Sequence, residues 1–337
     1  MNKDKKVSVV MSTFNGDSKG GYIWEQLDSV LNQTYPVFEI IIQDDCSIDR
    51  TWELLQEYAK KSSLIKLYRN ERNLGCGNSF VSAWNKASGD YIVVCDDDDI
   101  WMPNKIQILT DIIGDKMLAI GQSNIIRERD FENYYSCYEI KNPHVANIEK
   151  LMFGNCVGGG QQMMFDRKML EYINDIKSEN IIVPDYLLAL IAYYYNSVAI
   201  TDEITQWFRI NSQSTSGKTF NYVEVGEKWR KIKGYKLLYC IYYLIIGKKS
   251  SIVEDCYKKI NQVVKVLHQK SPNNKSKKLV SFTELMRKQT FLSYMRASII
   301  CYGMKRELFN ESNWSTRKNL NALIYIYKWW YDHRYDC

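Results

Sequence analysis

The chain has 337 residues, nine cysteines and a formal net charge of +6 at pH 7. That length allows one large domain or two ordinary ones with a substantial buried core. The cysteines form no CxxC pair, which argues against a disulfide scaffold or a zinc site and favours a reduced, cytoplasmic protein. The longest apolar stretches, 186–195 and 237–247, fall well short of the ~20 residues that a membrane-spanning helix needs. The start of the chain lacks the pattern of a signal peptide, so neither secretion nor a membrane span is expected.

The positive charge is concentrated in the last third of the chain. Residues 1–217 carry 21 Lys and Arg against 30 Asp and Glu, whereas residues 218–337 carry 24 against 9. We therefore expect a first domain over 1–217 and a basic, Tyr- and Trp-rich region over 218–337. Such a composition fits either an anionic membrane surface or a helical subdomain with a solvated basic face. Nucleic acid is not an expected partner, because no recognised nucleic-acid module accompanies the charge.

The first hundred residues alternate between strand and helix patterns. Strands separated by helices of about ten residues predict βαβ units, and hence a mainly parallel sheet with helices on both faces. From about residue 220 onward, the pattern changes to long helical stretches, broken at Ser271–Asn274. The predicted strands are Val7–Met11, Phe38–Gln43, Leu64–Tyr68 and Tyr91–Val94, and the predicted helices between them are Ile23–Leu31, Asp49–Lys61 and Asn78–Ala87.

Acidic residues follow two of these strands directly. Asp44 and Asp45 end the second strand, and four consecutive acids, Asp96–Asp99, follow the fourth. Ligands gather at the carboxyl ends of the strands in such sheets. Adjacent carboxylates repel one another, so a positive partner is expected there, and a divalent metal carrying a phosphate is the usual one. A solvated acidic turn is the alternative.

A series of motifs follows in a fixed order along the chain. The motifs are Val9–Asn15, Gln33–Ile40, Asp44–Thr51, Asn73–Gly75, Ala87–Ile92, Asp96–Lys105, Gly158–Gln162, Val183–Leu190 and Gln206–Gly217. This series is similar to the one in family 2 glycosyltransferases, which have the GT-A fold, and is closest to the bacterial rhamnosyltransferase-like branch. The resemblance implies an α/β, Rossmann-like catalytic domain followed here by a mostly helical region.

The resemblance implies that the first part of the sheet binds a nucleotide-sugar donor. Asp44 matches the carboxylate that accepts a hydrogen bond from the base, and Thr13 and Asn15 match the lining of the same pocket. Asn78 matches a position that faces the donor. From the residues alone, Asp44 could instead be a helix N-terminal acid and Asn78 a helix cap, and both alternatives stay open.

The four acids match the DxD motif of the family, which implies Mn²⁺ or Mg²⁺ on the donor diphosphate. Asp96 and Asp98 match the metal-binding positions, and Asp97 lies between them in the donor site. A metal there would neutralise the leaving diphosphate as its charge develops. Asp99 is expected to be structural or to cap the helix predicted over residues 103–113.

The later motifs imply the catalytic base and further contacts to the donor. Asp185 matches the base that takes the proton from the acceptor hydroxyl in a single, inverting displacement, although it could instead be only an N-cap. Arg209 matches a contact to the diphosphate. Asn211 stands where the related branch usually has a histidine, and it offers a metal an amide oxygen but no imidazole. Gly158–Gly160 are expected near the acceptor, or as a plain tight turn.

The implied function is the transfer of a sugar from a UDP- or dTDP-sugar to a hydroxyl of a lipid-linked or soluble glycan. Such a reaction belongs to bacterial surface polysaccharide synthesis, as in a capsule or O-antigen, with peripheral contact at the inner leaflet of the membrane. A sugar-phosphate nucleotidyltransferase is disfavoured, because Ser12–Asp17 lacks a glycine-rich loop with Arg and Lys. A catalytically impaired glycan- or nucleotide-binding protein derived from a transferase stays open, and donor hydrolysis would distinguish it.

Overall fold

The computed structural model describes most of the chain and divides it into two compact units. The boundary expected at residue 217 and the candidate metal ligand Asn211 lie outside the described residues. Each unit is described by itself. The described residues of the first unit are 5–127, 130–136, 159–174 and 183–210, and those of the second are 148–151, 175–181 and 251–303.

Parallel strands form the first half of the sheet in the first unit. The elements are β1 (Val7–Thr13), α1 (Tyr22–Leu31), β2 (Glu39–Asp44), α2 (Thr51–Tyr58), β3 (Ile65–Arg69), α3 (Cys76–Trp84) and β4 (Tyr91–Cys95). β1 lies between β2 and β4, β3 pairs with the far side of β2, and all these pairs are parallel. β1, β2 and β4 are nearly continuous runs of Val and Ile, as expected for strands buried on both faces.

Mixed strands extend the sheet beyond β4. The spatial order is β3-β2-β1-β4-β8-β6-β9-β5, and β7 pairs with β6. β8 runs antiparallel between β4 and β6, whereas β9 is parallel to β6. The further elements are β5 (Ile100–Trp101), α4 (Lys105–Ile113), β6 (Leu118–Arg127), β7 (Asp130–Ser136), α5 (Ile148–Leu151, in the second unit), β8 (Met163–Asp166), α6 (Leu170–Ile173), α7 (Pro184–Tyr194) and β9 (Val198–Ile210).

Helices cover both faces of this sheet. α1 and α4 pack against alternate residues of the strands, among them Val9 and Val93, in one apolar core. On the other face, α3 buries Trp84, whose ring meets the ring of Phe165 on β8 edge-to-face at 5.2 Å between centroids. Alternation of side chains along each strand places the two sets on opposite faces. The α/β class and the mainly parallel sheet predicted from the sequence are therefore confirmed.

The described part of the second unit is helical, as predicted. Asn273 caps the second of three consecutive helices, since its side chain accepts a hydrogen bond from the amide of Ser276 at 2.8 Å, which accounts for the predicted break at 271–274. Tyr257 and Phe282 pack edge-to-face at 6.2 Å between the first two of these helices. No helix in the described parts of the chain is long and apolar enough to cross a membrane. The helices are α8 (Ser251–Lys270), α9 (Asn274–Lys288) and α10 (Phe291–Gly303).

Candidate active site

The carboxyl ends of β1, β2 and β4 meet at one edge of the sheet. The hydroxyl of Thr13 donates to Asp97 Oδ2 at 2.6 Å, and the amide of Asp45 donates to the carbonyl of Thr13 at 2.8 Å. The amide of Asn15 donates to Ser47 Oγ at 2.8 Å. These bonds tie the loops after three different strands together, so predicted donor-site residues from distant parts of the sequence become neighbours.

Asp96, Asp97 and Asp98 follow β4 and keep part of their surface exposed. Desolvation, and after it the charge of Asp97, raises the pKa of Asp96 to about 7 and that of Asp98 to about 8. Lys19 lies 3.8 Å from the carboxylate of Asp97 and partly offsets these charges. A group of acids that resists carrying its full negative charge is stabilised by a positive ligand.

Asp185 is the second residue of α7. The helix begins at Pro184 and its N-cap is Val183, so the N-cap alternative for Asp185 is wrong. One carboxylate oxygen accepts a hydrogen bond from the amide of Tyr186 at 2.7 Å, and the side chain stays partly exposed. Burial raises the pKa of Asp185, which makes its ionised form a stronger base.

Two neighbours place Asp185 beside the acids after β4. A Cβ on Gly160 would lie 3.7 Å from the Cβ of Asp185 and 3.5 Å from Cγ1 of Val94, so the turn at Gly160 sits between the base and β4. Desolvation, followed by the charges of Asp96 and Asp185, raises the pKa of the Cys76 thiol to about 12, although Cys76 retains exposed surface. The predicted base and the predicted metal-binding acids therefore share one edge of the sheet.

Asp44 is fully buried, unlike Asp96, Asp97 and Asp98. Its carboxylate accepts hydrogen bonds from the amide and hydroxyl of Ser47 and pairs with Nε of Arg69 at 3.0 Å. In this structure the carboxylate of Asp44 orders the turn that holds Asn15, and its contact with a nucleotide base stays a prediction. The helix N-terminal alternative is wrong, because Asp44 ends a strand and α2 begins at Thr51.

Asn15 and Asn78 both keep exposed surface. Asn15 adopts a left-handed backbone with φ of 54°, and its side-chain oxygen accepts a hydrogen bond from the amide of Ile48 at 2.9 Å. Asn78 lies inside α3, whose N-cap is Gly75, and its amide donates to the carbonyl of Leu74 at 3.3 Å. The cap alternative for Asn78 is therefore wrong, while the donor contacts of both residues stay predictions.

Arg209 is enclosed on all sides. Its Nε donates to the carbonyl of Asp98 at 2.8 Å, its Nη2 pairs with Glu25 at 2.7 Å, and its guanidinium lies 4.0 Å from the ring centroid of Tyr22. Its amide donates to the buried carboxylate of Asp99 at 2.9 Å. Arg209 thus fastens the loop after β4 to α1 and β9. Its contact with a diphosphate stays a prediction. Asp99 is structural rather than a cap of α4, whose N-cap is Asn104.

Residues 8–173 match the family described as Glycosyl transferase family 2. The chain carries a family 2 glycosyltransferase domain. WfgD of Escherichia coli is 27% identical over 264 residues, which is 73% of this chain and 95% of WfgD. WfaP of Escherichia coli is 32% identical over 125 residues, which is 37% of this chain and 48% of WfaP. Both are named UDP-Glc:α-D-GlcNAc-diphosphoundecaprenol β-1,3-glucosyltransferase. The protein is therefore a glycosyltransferase, as its motifs predicted.

A solved structure shows the same fold. It is the crystal structure of S. aureus TarS residues 1–349 in complex with UDP-GlcNAc, with a TM-score of 0.56 and 16% sequence identity. The match covers 97% of this chain and 88% of the TarS chain. At this identity the likeness speaks for the fold alone, and it confirms the GT-A architecture that the motifs implied.

The glycosyltransferase domain offers oxygen ligands for a metal but no closed cage. Within the residues that the structure describes, no three His, Cys, Asp or Glu side chains are placed to hold a metal ion together. Mg²⁺ usually takes only one or two carboxylates and shares its remaining positions between waters and substrate phosphates. Asp96 and Asp98, whose pKa values are raised by burial and by neighbouring acids, fit such a shared site.

The sequence motifs assigned no role to Lys19, Cys76 or Lys105, which the structure brings to the site. Lys105 is fully buried, and desolvation lowers its pKa to about 7. A signal for it was available, because Lys105 lies one helical turn before the buried Leu109, and a cation on the apolar face of a helix needs a specific partner. Lys19 and Cys76 lie in loop and helix-start positions whose neighbours only the fold reveals.

Proposed function

We propose that this glycosyltransferase moves a sugar, with inversion, from a UDP- or dTDP-sugar to a hydroxyl of a glycan carried on a lipid diphosphate in bacterial surface polysaccharide synthesis. One observation carries the proposal: the acids after β4 and Asp185 on α7 lie at the same edge of the sheet. The acids after β4 suit a metal ion that carries the donor diphosphate, and Asp185 suits a base that takes the proton of an acceptor hydroxyl. The names of WfgD and WfaP, which specify a UDP-sugar and a diphosphoundecaprenol-linked sugar, support both substrate classes.

Asp185 acts as the base in this proposal. Its carboxylate takes the proton of the acceptor hydroxyl while that oxygen bonds to the anomeric carbon and the bond from this carbon to the diphosphate breaks. The raised pKa of Asp185 supports the role, because a stronger base gains more from accepting a proton. A single displacement of this kind inverts the anomeric configuration.

The donor diphosphate lies against Asp96 and Asp98, which would hold Mn²⁺ or Mg²⁺. The ion supplies positive charge where the nucleoside diphosphate leaves. Thr13 fixes the carboxylate of Asp97 through the 2.6 Å hydrogen bond, and Lys19 adds a second positive charge at the mouth of the site. Asn15 contacts the donor from the loop after β1, and Asn78 contacts it from α3. Asp44 orders the turn at Ser47, and Arg209 fastens the loop after β4.

The location proposed for the protein is the cytoplasmic face of the membrane, with peripheral contact. The basic balance of residues 218–337 supports this, since each Lys or Arg near an anionic headgroup contributes ~1 kcal/mol. A lipid-linked acceptor would be reached there. The resemblance to the rhamnosyltransferase-like branch keeps dTDP-rhamnose among the donors to test, beside UDP-glucose.

Calorimetric titration with UDP and with dTDP, each with and without Mn²⁺, tests the donor site. Binding of one nucleotide that depends on Mn²⁺ and disappears in Asp96→Ala, with an unchanged circular dichroism spectrum, is the expected result. Absence of binding in every condition would overturn the proposal. Binding that ignores the metal would remove Asp96 and Asp98 as metal ligands.

Transfer to GlcNAc on a polyprenyl diphosphate tests the reaction. UDP-glucose and dTDP-rhamnose serve as donors, and NMR of the product reports the anomeric configuration. Inversion with one donor is expected, and Asp185→Asn is the control that keeps nucleotide binding. Retention would refute the single displacement, and nucleotide binding without transfer or donor hydrolysis would favour the impaired binding protein.

A further inference from the structure

Lys105 places a cation inside the core of the glycosyltransferase domain. Its side chain has no exposed surface, yet its ammonium donates to the carbonyl of Gln161 at 2.5 Å and to Oε1 of Gln206. The ammonium also lies 4.0 Å from the ring centroid of Trp101. A buried charge is tolerated only where such partners replace water. The segments that contain these partners are therefore held in place around the ammonium of Lys105.

One side of this contact leads to the acids after β4. Nε2 of Gln206, on β9, donates to Oδ2 of Asp99 at 3.3 Å, and the other oxygen of Asp99 accepts the amide of Arg209 at 2.9 Å. Asp99 is the last of the four consecutive acids. These two hydrogen bonds anchor the end of the acid loop to β9.

The other side leads to the catalytic base. Gln161 lies in the short 3-10 turn Gly160–Gln162, just before β8. A Cβ on Gly160 would lie 3.7 Å from the Cβ of Asp185, so this turn forms the support beside the base. Lys105 holds the turn by its backbone carbonyl, which makes the contact independent of the side chain at position 161.

We propose that Lys105 is a positioning residue that sets the spacing between the metal-binding acids and the base Asp185. It does so by holding Gln206, and through it Asp99, with one hydrogen bond and the turn at Gln161 with another. The inference rests on the proposed function for the meaning of that spacing. The coupling of the two segments stands on the contacts alone, and it is tested without any substrate.

Hydrogen exchange followed by mass spectrometry measures the coupling in the full chain. Two amides report on the segments: that of Met102, which donates to Thr205 at 2.9 Å, and that of Gln162, which donates to Gly159 at 3.0 Å. Lys105→Met removes the ammonium while nearly keeping the volume. We expect exchange in residues 96–104 and 159–163 to quicken at least tenfold together, while residues 39–44 of β2 stay unchanged.

Two further variants separate positioning from general core packing. Thr110→Val removes a buried hydroxyl from the same helix. This hydroxyl bonds within α4 and to a methionine sulfur. The exchange rates of both segments are expected to stay within twofold of wild type. Gln206→Leu is expected to loosen residues 96–104 alone, because Lys105 still holds Gln161. It also provides a test if Lys105→Met fails to fold.

The outcomes are distinct. For Lys105→Met, the proposal is overturned if exchange quickens throughout the domain, in only one of the two segments, or in neither. For Gln206→Leu, it is overturned if exchange in residues 96–104 stays unchanged. Titration of the same variants with UDP and Mn²⁺ adds a second readout, and Lys105→Met is expected to bind at least fivefold more weakly than Thr110→Val. If wild type binds no nucleotide, the proposed function fails, while the exchange result still decides the coupling.

Discussion

Replacing Asp96 with asparagine is expected to stabilise the metal-free protein and to abolish metal-dependent nucleotide binding. Desolvation, followed by the charges of Asp97 and Asp185, raises the pKa of Asp96 from 3.8 to about 7. Between these values the folded state keeps a proton that the unfolded state has lost. Stability therefore falls as pH rises from about 4 to about 7, and asparagine removes that loss.

The interval from 3.8 to about 7 sets the size of the effect. Each pKa unit corresponds to ~1.4 kcal/mol, which gives an upper limit of ~4 kcal/mol. Asp96 is only partly buried by its surface exposure, and solvent screening weakens the repulsion. We therefore expect Asp96→Asn to raise the free energy of unfolding by about 1–2 kcal/mol at pH 7.5, a direction opposite to that of most substitutions.

Urea denaturation in EDTA at pH 7.5 and pH 4.5 measures this difference. The advantage of Asp96→Asn should be present at pH 7.5 and largely absent at pH 4.5, where wild-type Asp96 is protonated when folded. Asp115→Asn is the matched control, because the side chain of Asp115 is 87% exposed and lies away from the acid loop. A less stable Asp96→Asn protein in EDTA, or an advantage independent of pH, would refute the repulsion argument.

Three further predictions follow from single contacts. Asp185→Asn should keep UDP affinity within threefold and lower transfer by about 10²–10⁴-fold in a radiolabelled-donor assay; lost UDP binding would contradict this. Burial opposes ionisation of Glu39, but hydrogen bonds from Lys66 and Ser8 lower its pKa to about 2. The ionised carboxylate therefore stabilises the fold above pH ~4.5, and this stabilisation is lost as pH falls toward 2. Glu39→Gln should lower the free energy of unfolding, measured by urea denaturation, by up to ~3 kcal/mol at pH 6 and by much less at pH 2.5; an equal decrease at both pH values would exclude the charge as the cause. Cys46 has φ of 65°, so Cys46→Gly should stabilise the fold by up to ~1 kcal/mol while Cys46→Ala does not; equal gains would exclude backbone strain.

The sheet was predictable because its strands are buried on both faces. β1, β2 and β4 contain short runs of Val and Ile, and such runs indicate buried strands. Their predicted limits differ by one or two residues, since β1 continues to Thr13 and β2 to Asp44. The start of α3 was missed by two residues, because Gly75 adopts φ of 78° and begins the helix before Asn78. The backbone conformation of Gly75 fixes the start of α3, and the spacing of apolar residues does not reveal it.

The candidate site was predictable in its acids and less so in its supports. Asp96, Asp98 and Asp185 lie at one edge of the sheet and keep exposed surface, while their roles stay predictions. Asp44 and Arg209 occupy the expected positions along the chain, yet both are buried. Their enclosure depends on partners far away in the sequence, such as Glu25, 184 residues before Arg209. A motif records which residue is present and leaves open which way it faces.

The structure also bears on the solvated acidic turn, the alternative reading of the four acids. In such a turn all four side chains would be hydrated and would titrate in their usual range. Here Asp99 is buried and bonded to β9, and Asp97 is held by the hydroxyl of Thr13. Asp96 and Asp98 keep pKa values of about 7 and about 8, so their ionised forms are disfavoured in the metal-free protein. The repulsion between these acids destabilises a turn without a ligand, whereas in a site that binds a cation with its substrate the cation relieves the repulsion.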